Sequence, residues 1–157
     1  MKKLLLVPCL MALFLTGCND DDDPAVPTPE PAIAQLVKGQ WSNNFTSEEY
    51  YDLDGNVVYA DSADVDVRFN FKGNNVDISH PGVEGVDTWV YTFPKQDNEN
   101  YIYLSQTGKT SVGYDILHMS ADSMVWMNEI QWASYDDGSG EETSAKGVYI
   151  YRFIRQE

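Results

Sequence analysis

Basic residues, histidine, cysteine and long apolar runs are all scarce in this chain, and each shortage removes a class of function. Ten Lys plus Arg stand against 25 Asp plus Glu in 157 residues, a formal net charge of -15. Contacts to a nucleic-acid backbone need clustered Lys and Arg, and no stretch holds such a cluster, so no nucleic-acid partner is expected. The two cysteines, Cys9 and Cys18, both fall in the first eighteen residues. Everything after them lacks a disulfide, a thiol nucleophile and a Cys-based metal site. The two histidines, His80 in the loop signal His80-Pro81-Gly82 and His118 in a strand pattern, make no pair at metal-ligand spacing. No Gly-x-Ser-x-Gly elbow occurs, and Gly108-Lys109-Thr110 has Tyr103 where a P-loop needs its first Gly, so it reads as a hairpin turn. The one long apolar run, residues 4–15, has about a dozen residues where a spanning helix needs ~20. No catalytic residues, metal or cofactor are expected, and the chain is read as a non-enzyme.

What the N-terminus does hold is an address. Lys2 and Lys3 precede the apolar run, and Leu15-Thr16-Gly17-Cys18 follows it. This order resembles the bacterial lipobox, which implies cleavage after residue 17 and diacylglycerol on the Cys18 sulfur. Losing the signal peptide, residues 1–17, removes Lys2 and Lys3, leaving eight basic against 25 acidic residues and a charge of -17. Two or three acyl chains, each contributing ~0.8 kcal/mol per buried CH2, would hold the protein firmly to a membrane. The remainder of segment 18–31 carries four consecutive Asp and four Pro. Like charges repel and Pro favours extended backbone, so this is a solvated spacer of up to ~3.1 Å per residue. An acidic run directly after the lipidated Cys also resembles the export tether of surface lipoproteins in Bacteroidota. That resemblance implies an outer-membrane lipoprotein on the cell surface, with the periplasmic face as the alternative.

From residue 32 to residue 157 the pattern has period two. Val65, Val67, Phe69 and Phe71 alternate with polar residues, Lys72-Gly73-Asn74-Asn75 is turn chemistry, and Val76 and Ile78 resume the alternation, so the pair reads as an antiparallel hairpin. Asp54-Gly55 between residues 49–53 and 56–60 is a second hairpin signal. Further strands are expected at 88–93, 101–106, 113–120, 124–132 and 148–155, and the one helix candidate is a short turn at 32–38. About eight or nine strands at this spacing predict an all-β domain, a barrel or a sandwich. Residues 136–142 read as a flexible acidic loop at one rim.

The domain opens with Val37-Lys38-Gly39-Gln40-Trp41 and closes with Tyr151-Arg152-Phe153-Ile154-Arg155. Gly39-x-Trp41 near the start and Phe153-x-Arg155 at the end resemble lipocalin-like domains, including small lipoproteins of Bacteroidota, over residues 36–155. The resemblance implies a single antiparallel up-and-down barrel of about eight strands. It further implies that Trp41 plugs the closed end with Arg155 across its ring, Arg152 being the fallback. A barrel of this size has no free sheet edge and an interior that side chains fill or a small ligand occupies.

Trp89, Tyr91, Tyr103, Trp126, Tyr149 and Tyr151 alternate with polar residues and are the candidate ligand-binding set, although core packing is the more common role of inward rings in this pattern. Trp132 and Tyr135 flank the acidic loop and are candidates for an exposed aromatic platform. Acidic pairs carry no assignment, because twenty acidic residues after Pro31 bring some pair within ~5–9 Å by chance. Asp52-x-Asp54-Gly55-Asn56 and the group Asp61, Asp64, Asp66 lack the spacing and closing Glu of an EF-hand; the first reads as turn chemistry and the second as a loop. Asp61-Ser62-Ala63 is also similar to an O-glycosylation sequon of Bacteroidota. Two readings follow: a lipid-anchored envelope binding protein holding a small apolar or amphipathic ligand, or an accessory lipoprotein with a filled barrel that docks another envelope protein. The acidic surface disfavours anionic ligands.

Overall fold

The structure, a computed structural model, describes residues 32–94 and 100–157. The expected signal peptide (1–17), the lipidation site Cys18 and the tether (18–31) lie outside the described residues. A single helical turn, α1 (Ile33–Leu36), leads into β1 (Gly39–Tyr51), β2 (Val57–Lys72), β3 (Asn75–Ser79), β4 (Asp87–Thr92), β5 (Tyr101–Ser105), β6 (Val112–Met119), β7 (Ser123–Gln131), β8 (Ser134–Asp136), β9 (Glu141–Thr143) and β10 (Lys146–Arg155).

Eight of these strands close into one antiparallel barrel in the order β1-β10-β7-β6-β5-β4-β3-β2. Each of β1 to β6 pairs with the next in sequence, and β10 closes the ring by pairing with both β7 and β1. The pleat then decides what lies inside, because directly opposed residues share a face. Trp41 opposes Phe69, Val76 opposes Trp89, Tyr91 opposes Leu104, Ile102 opposes Tyr114, and Ile116 opposes Trp126. These ten residues belong to the inner wall, and Val37, Trp41, Phe71, Val76, Ile102, Met124, Trp126 and Phe153 are the best buried of the core.

The ring is uneven in height. β1 and β2 have 13 and 16 residues, whereas β3, β4 and β5 have 5, 6 and 5. The Asp54-Gly55 turn is where the sequence places it: Asp52 accepts hydrogen bonds from the Asn56 side-chain amide and from the backbone N–H of Asn56 and Asp54, which hold its carboxyl below the usual carboxylate range. β2, however, is a single strand where the alternation suggests two. Its polar stretch is kept extended by pairing with β1, with Glu48 opposite Asp61 and Thr46 opposite Ala63. The register shift at Asn43/Phe45, present against both β2 and β10, moves the inward face of β1 from odd positions (Trp41, Asn43) to even ones (Thr46, Tyr50).

The acidic segment at 136–142 is not merely a loop. β8 and β9 pair there as a small hairpin of their own. The hairpin folds against the tall wall, where Tyr135 stacks on Tyr59 at 5.1 Å and packs on Tyr50 at 4.9 Å. Gly147 permits this crossing, since a Cβ there would lie 2.7 Å from that of Ala133.

One end of the barrel is shut. Trp41 is wholly buried and donates its indole N–H to the carbonyl of Val37, 2.8 Å away, which draws the segment after α1 across the opening. The Arg155 guanidinium lies 4.3 Å from the centre of the Trp41 ring, in the contact expected from the sequence. It also donates to the carbonyls of Lys38 (2.8 Å), Leu36 (2.5 Å) and Ala121. Arg152 instead lies over Phe45. Gly39 is required here twice over, by a φ of +108° and because a Cβ would sit 2.8 Å from Arg155 Nη1.

Candidate functional site

Above this plug the interior divides. Phe69, Trp126 and Phe153 meet at ring separations of 4.7 to 5.9 Å and fill the middle of the barrel. Beyond them lies a cavity of about 270 Å³, to which all eight barrel strands contribute. Asn43 comes from β1, Val67 and Phe69 from β2, Ile78 from β3, Asp87 and Trp89 from β4, and Leu104 from β5. Val112 and Tyr114 (β6), Trp126 (β7), Tyr151 and Phe153 (β10) complete the wall, with His80 just after β3. His80 and Asp87 are exposed, so the cavity meets solvent on the β3–β4 side.

The wall is apolar and aromatic with a few polar groups. Tyr114 tilts onto Trp126 at 5.2 Å and meets the Tyr151 ring edge-on at 5.5 Å. Burial pushes both phenols up from the ordinary tyrosine value, and neighbouring Tyr114, Tyr149 and Glu48 add to the effect at Tyr151. Both hydroxyls therefore stay neutral at physiological pH and can donate or accept. Three buried side-chain polar atoms find no hydrogen-bond partner among the described residues: Asn43 Oδ1, Trp126 Nε1 and Gln106 Oε1. Two of the three, an acceptor and a donor, belong to residues of this cavity's wall. Natural interiors rarely leave such groups unpaired, and where they do, a function or an absent partner is the usual reason.

The six aromatic candidates separate. Trp89, Trp126 and Tyr151 line the cavity. Tyr91 lies in the core below it, edge-on to Phe71 at 5.1 Å, and donates its hydroxyl to the carbonyl of Gly73 at 2.7 Å. Tyr103 has the outward parity of β5 and is 38% exposed. Tyr149 joins Tyr50, Tyr59 and Tyr135 in the cluster under the β8–β9 hairpin, its hydroxyl 3.1 Å from that of Tyr50. Of the two platform candidates Trp132 is 66% exposed, whereas Tyr135 is stacked on Tyr59.

Sequence reading passed over Asn43, Asp87, Tyr114 and Lys109. Asn43 and Tyr114 carried a usable signal, since each sits at an inward parity position, two residues from Trp41 and from Ile116 respectively. Lys109 belongs to the β5–β6 turn, and the pairing of β5 with β4, Ser105 opposite Val90, brings it to the cavity's edge, with Nζ 3.0 Å from Asp87 Oδ1 and 5.4 Å from the centre of the Trp89 ring. His118 Nε2 lies 3.2 Å from Ser123 Oγ. Among the described residues no three His, Cys, Asp or Glu side chains gather as a metal site, and no helix is long and apolar enough to cross a membrane.

No protein-family model matches the chain, and neither does any curated protein.

Proposed function

We propose that this chain is a lipid-anchored binding protein of the bacterial envelope whose barrel holds a small apolar or amphipathic ligand without transforming it. The cavity carries this reading: an aromatic chamber open to solvent at one side, closed below by packed rings, with an unpaired donor and an unpaired acceptor on two of the residues that line it. The closed up-and-down barrel and the Trp41–Arg155 plug support the lipocalin-like resemblance. The anchor itself rests on the Leu15-Thr16-Gly17-Cys18 sequence and the acidic segment after it.

Size limits the ligand. Small-molecule sites usually enclose ~300–1,000 Å³, while an apolar cavity of ~150 Å³ takes up benzene. A chamber of about 270 Å³ therefore suits one or two rings or a short aliphatic chain, and is too small for a phospholipid. Native mass spectrometry of protein prepared gently from cells, before and after organic extraction, tests this. A discrete extra mass that disappears on extraction is expected, and the bare mass in both samples would overturn the carrier reading.

A second reading, docking to another envelope protein, draws on a different surface. Leu53, Val57, Val58 and Trp132 are all exposed at the far end of the long strands, where Tyr51, Ala145 and Trp132 are joined by backbone hydrogen bonds. Crosslinking on intact cells through these positions tests it, a single discrete partner being the expected result.

A further inference from the structure

The cavity's edge has a chemistry that its apolar wall does not reveal. Asp87 and Trp89 lie two residues apart on β4 and both line the cavity, so carboxylate and indole share the inward face. From the adjacent strand the β5–β6 turn sends Lys109 back to this corner, where its ammonium is 3.0 Å from Asp87 Oδ1 and 5.4 Å from the Trp89 ring centre. An alkylammonium group thus already occupies the space between a carboxylate and an aromatic face. The side chains of Lys109 and Asp87 are 45% and 51% exposed, so the pair is half in water and open to competition. Glu84 shares a surface depression with His80 and Asp87, which leaves two carboxylates against one lysine at this rim.

We propose that the mouth of the cavity recognises an organic ammonium ion, and that the ligand is a small primary amine whose single apolar ring enters the chamber while its ammonium replaces that of Lys109 between Asp87 and Trp89. This rests on the carrier reading above and narrows it to one ligand class. Three physical terms point the same way. The ammonium gains a charge-assisted hydrogen bond and a ring face at once. The chain's net charge of -15 draws cations and repels anions. Below the corner, Leu104, Tyr114, Trp126 and Tyr151 offer an apolar body the burial it needs.

The test is calorimetric titration of the full chain with three probes of matched shape: phenethylamine, phenethyl alcohol and hydrocinnamate. Phenethylamine is expected to bind about tenfold more tightly than the alcohol, as one partly exposed ion pair and one ring face warrant, with hydrocinnamate weakest. Asp87→Asn is expected to bring the amine down to the level of the alcohol measured on the same variant, with an unchanged urea midpoint reporting that the variant is folded. Lys109→Gln removes the internal competitor and is expected to tighten the amine several-fold without affecting the alcohol. An amine with no advantage, an advantage that survives Asp87→Asn, or an amine weakened by Lys109→Gln would each overturn the inference while the carrier reading stands. If none of the three probes binds, the inference is overturned, and the native mass spectra before and after extraction decide the carrier reading independently.

Discussion

Arg155 shows how much one side chain organises. It closes the barrel by bridging the Trp41 ring to carbonyls before β1 and to that of Ala121 between β6 and β7. A cation–π contact contributes ~0.5–2 kcal/mol and a hydrogen bond to a charged group ~1.5–3 kcal/mol, so Arg155→Ala is expected to cost about 3 kcal/mol in urea unfolding. Arg152→Ala, whose guanidinium lies over Phe45 at 5.4 Å on an exposed residue, is expected to cost under ~1 kcal/mol. Equal losses for the two would refute the plug. Gly39→Ala must strain a φ of +108° and displace Arg155, and a cost of ~1–3 kcal/mol is expected from the same assay. Trp41 and Arg155 were legible in the sequence because each stands in a short pattern at one end of the domain. Asp87 and Lys109 were not, because 22 positions separate them and neither differs locally from an ordinary surface charge.

At the scale of elements, the β8–β9 hairpin is held chiefly by rings. Tyr135 rests on Tyr50 and Tyr59, and Ser144 donates its hydroxyl to the Ala133 carbonyl at 2.9 Å. Truncating Tyr135→Ala removes stacking worth ~0.5–1.5 kcal/mol and is expected to speed hydrogen exchange in residues 133–144 alone. Exchange that accelerates equally in β6 and β7 would mean that hairpin and barrel open as one unit. The sequence reading missed β8 and β9 because residues 136–142 are acidic and Gly-rich, with no alternating apolar face. Their pairing needs only Tyr135 to find a surface, and that surface is made by β1 and β2 far away in the chain. The split of β2 into two expected strands has the same origin: its polar stretch has no hydrophobic signal and is extended because β1 pairs with it.

For the molecule as a whole, buried phenols tie stability to pH. Burial is the main cause that raises Tyr50, Tyr91, Tyr114 and Tyr151 above the ordinary tyrosine value. Unfolded, they ionise near pH ~10. Above that point the unfolded chain has released protons that the folded chain keeps, so the free energy of unfolding falls as pH rises. Their contribution is complete below pH ~10 and is lost beyond it. The urea midpoint is therefore expected to be flat from about pH 7 to 9 and to drop above about pH 10, and a midpoint unchanged at about pH 11 would count against these phenols being buried in the native state. By itself the sequence determined the all-β class and most strand positions, because period-two alternation and turn chemistry act over a few neighbouring residues, whereas the Trp41–Arg155 plug was implied by the resemblance of the two terminal patterns to lipocalin-like domains. Whether the barrel would be solid or hollow was not determined there. The inward face carries Phe69, Trp89, Tyr114, Trp126, Tyr151 and Phe153, enough aromatic bulk for either outcome. Only ring closure decided it, because the space left inside depends on how side chains from eight strands meet across the barrel, a property of no single strand.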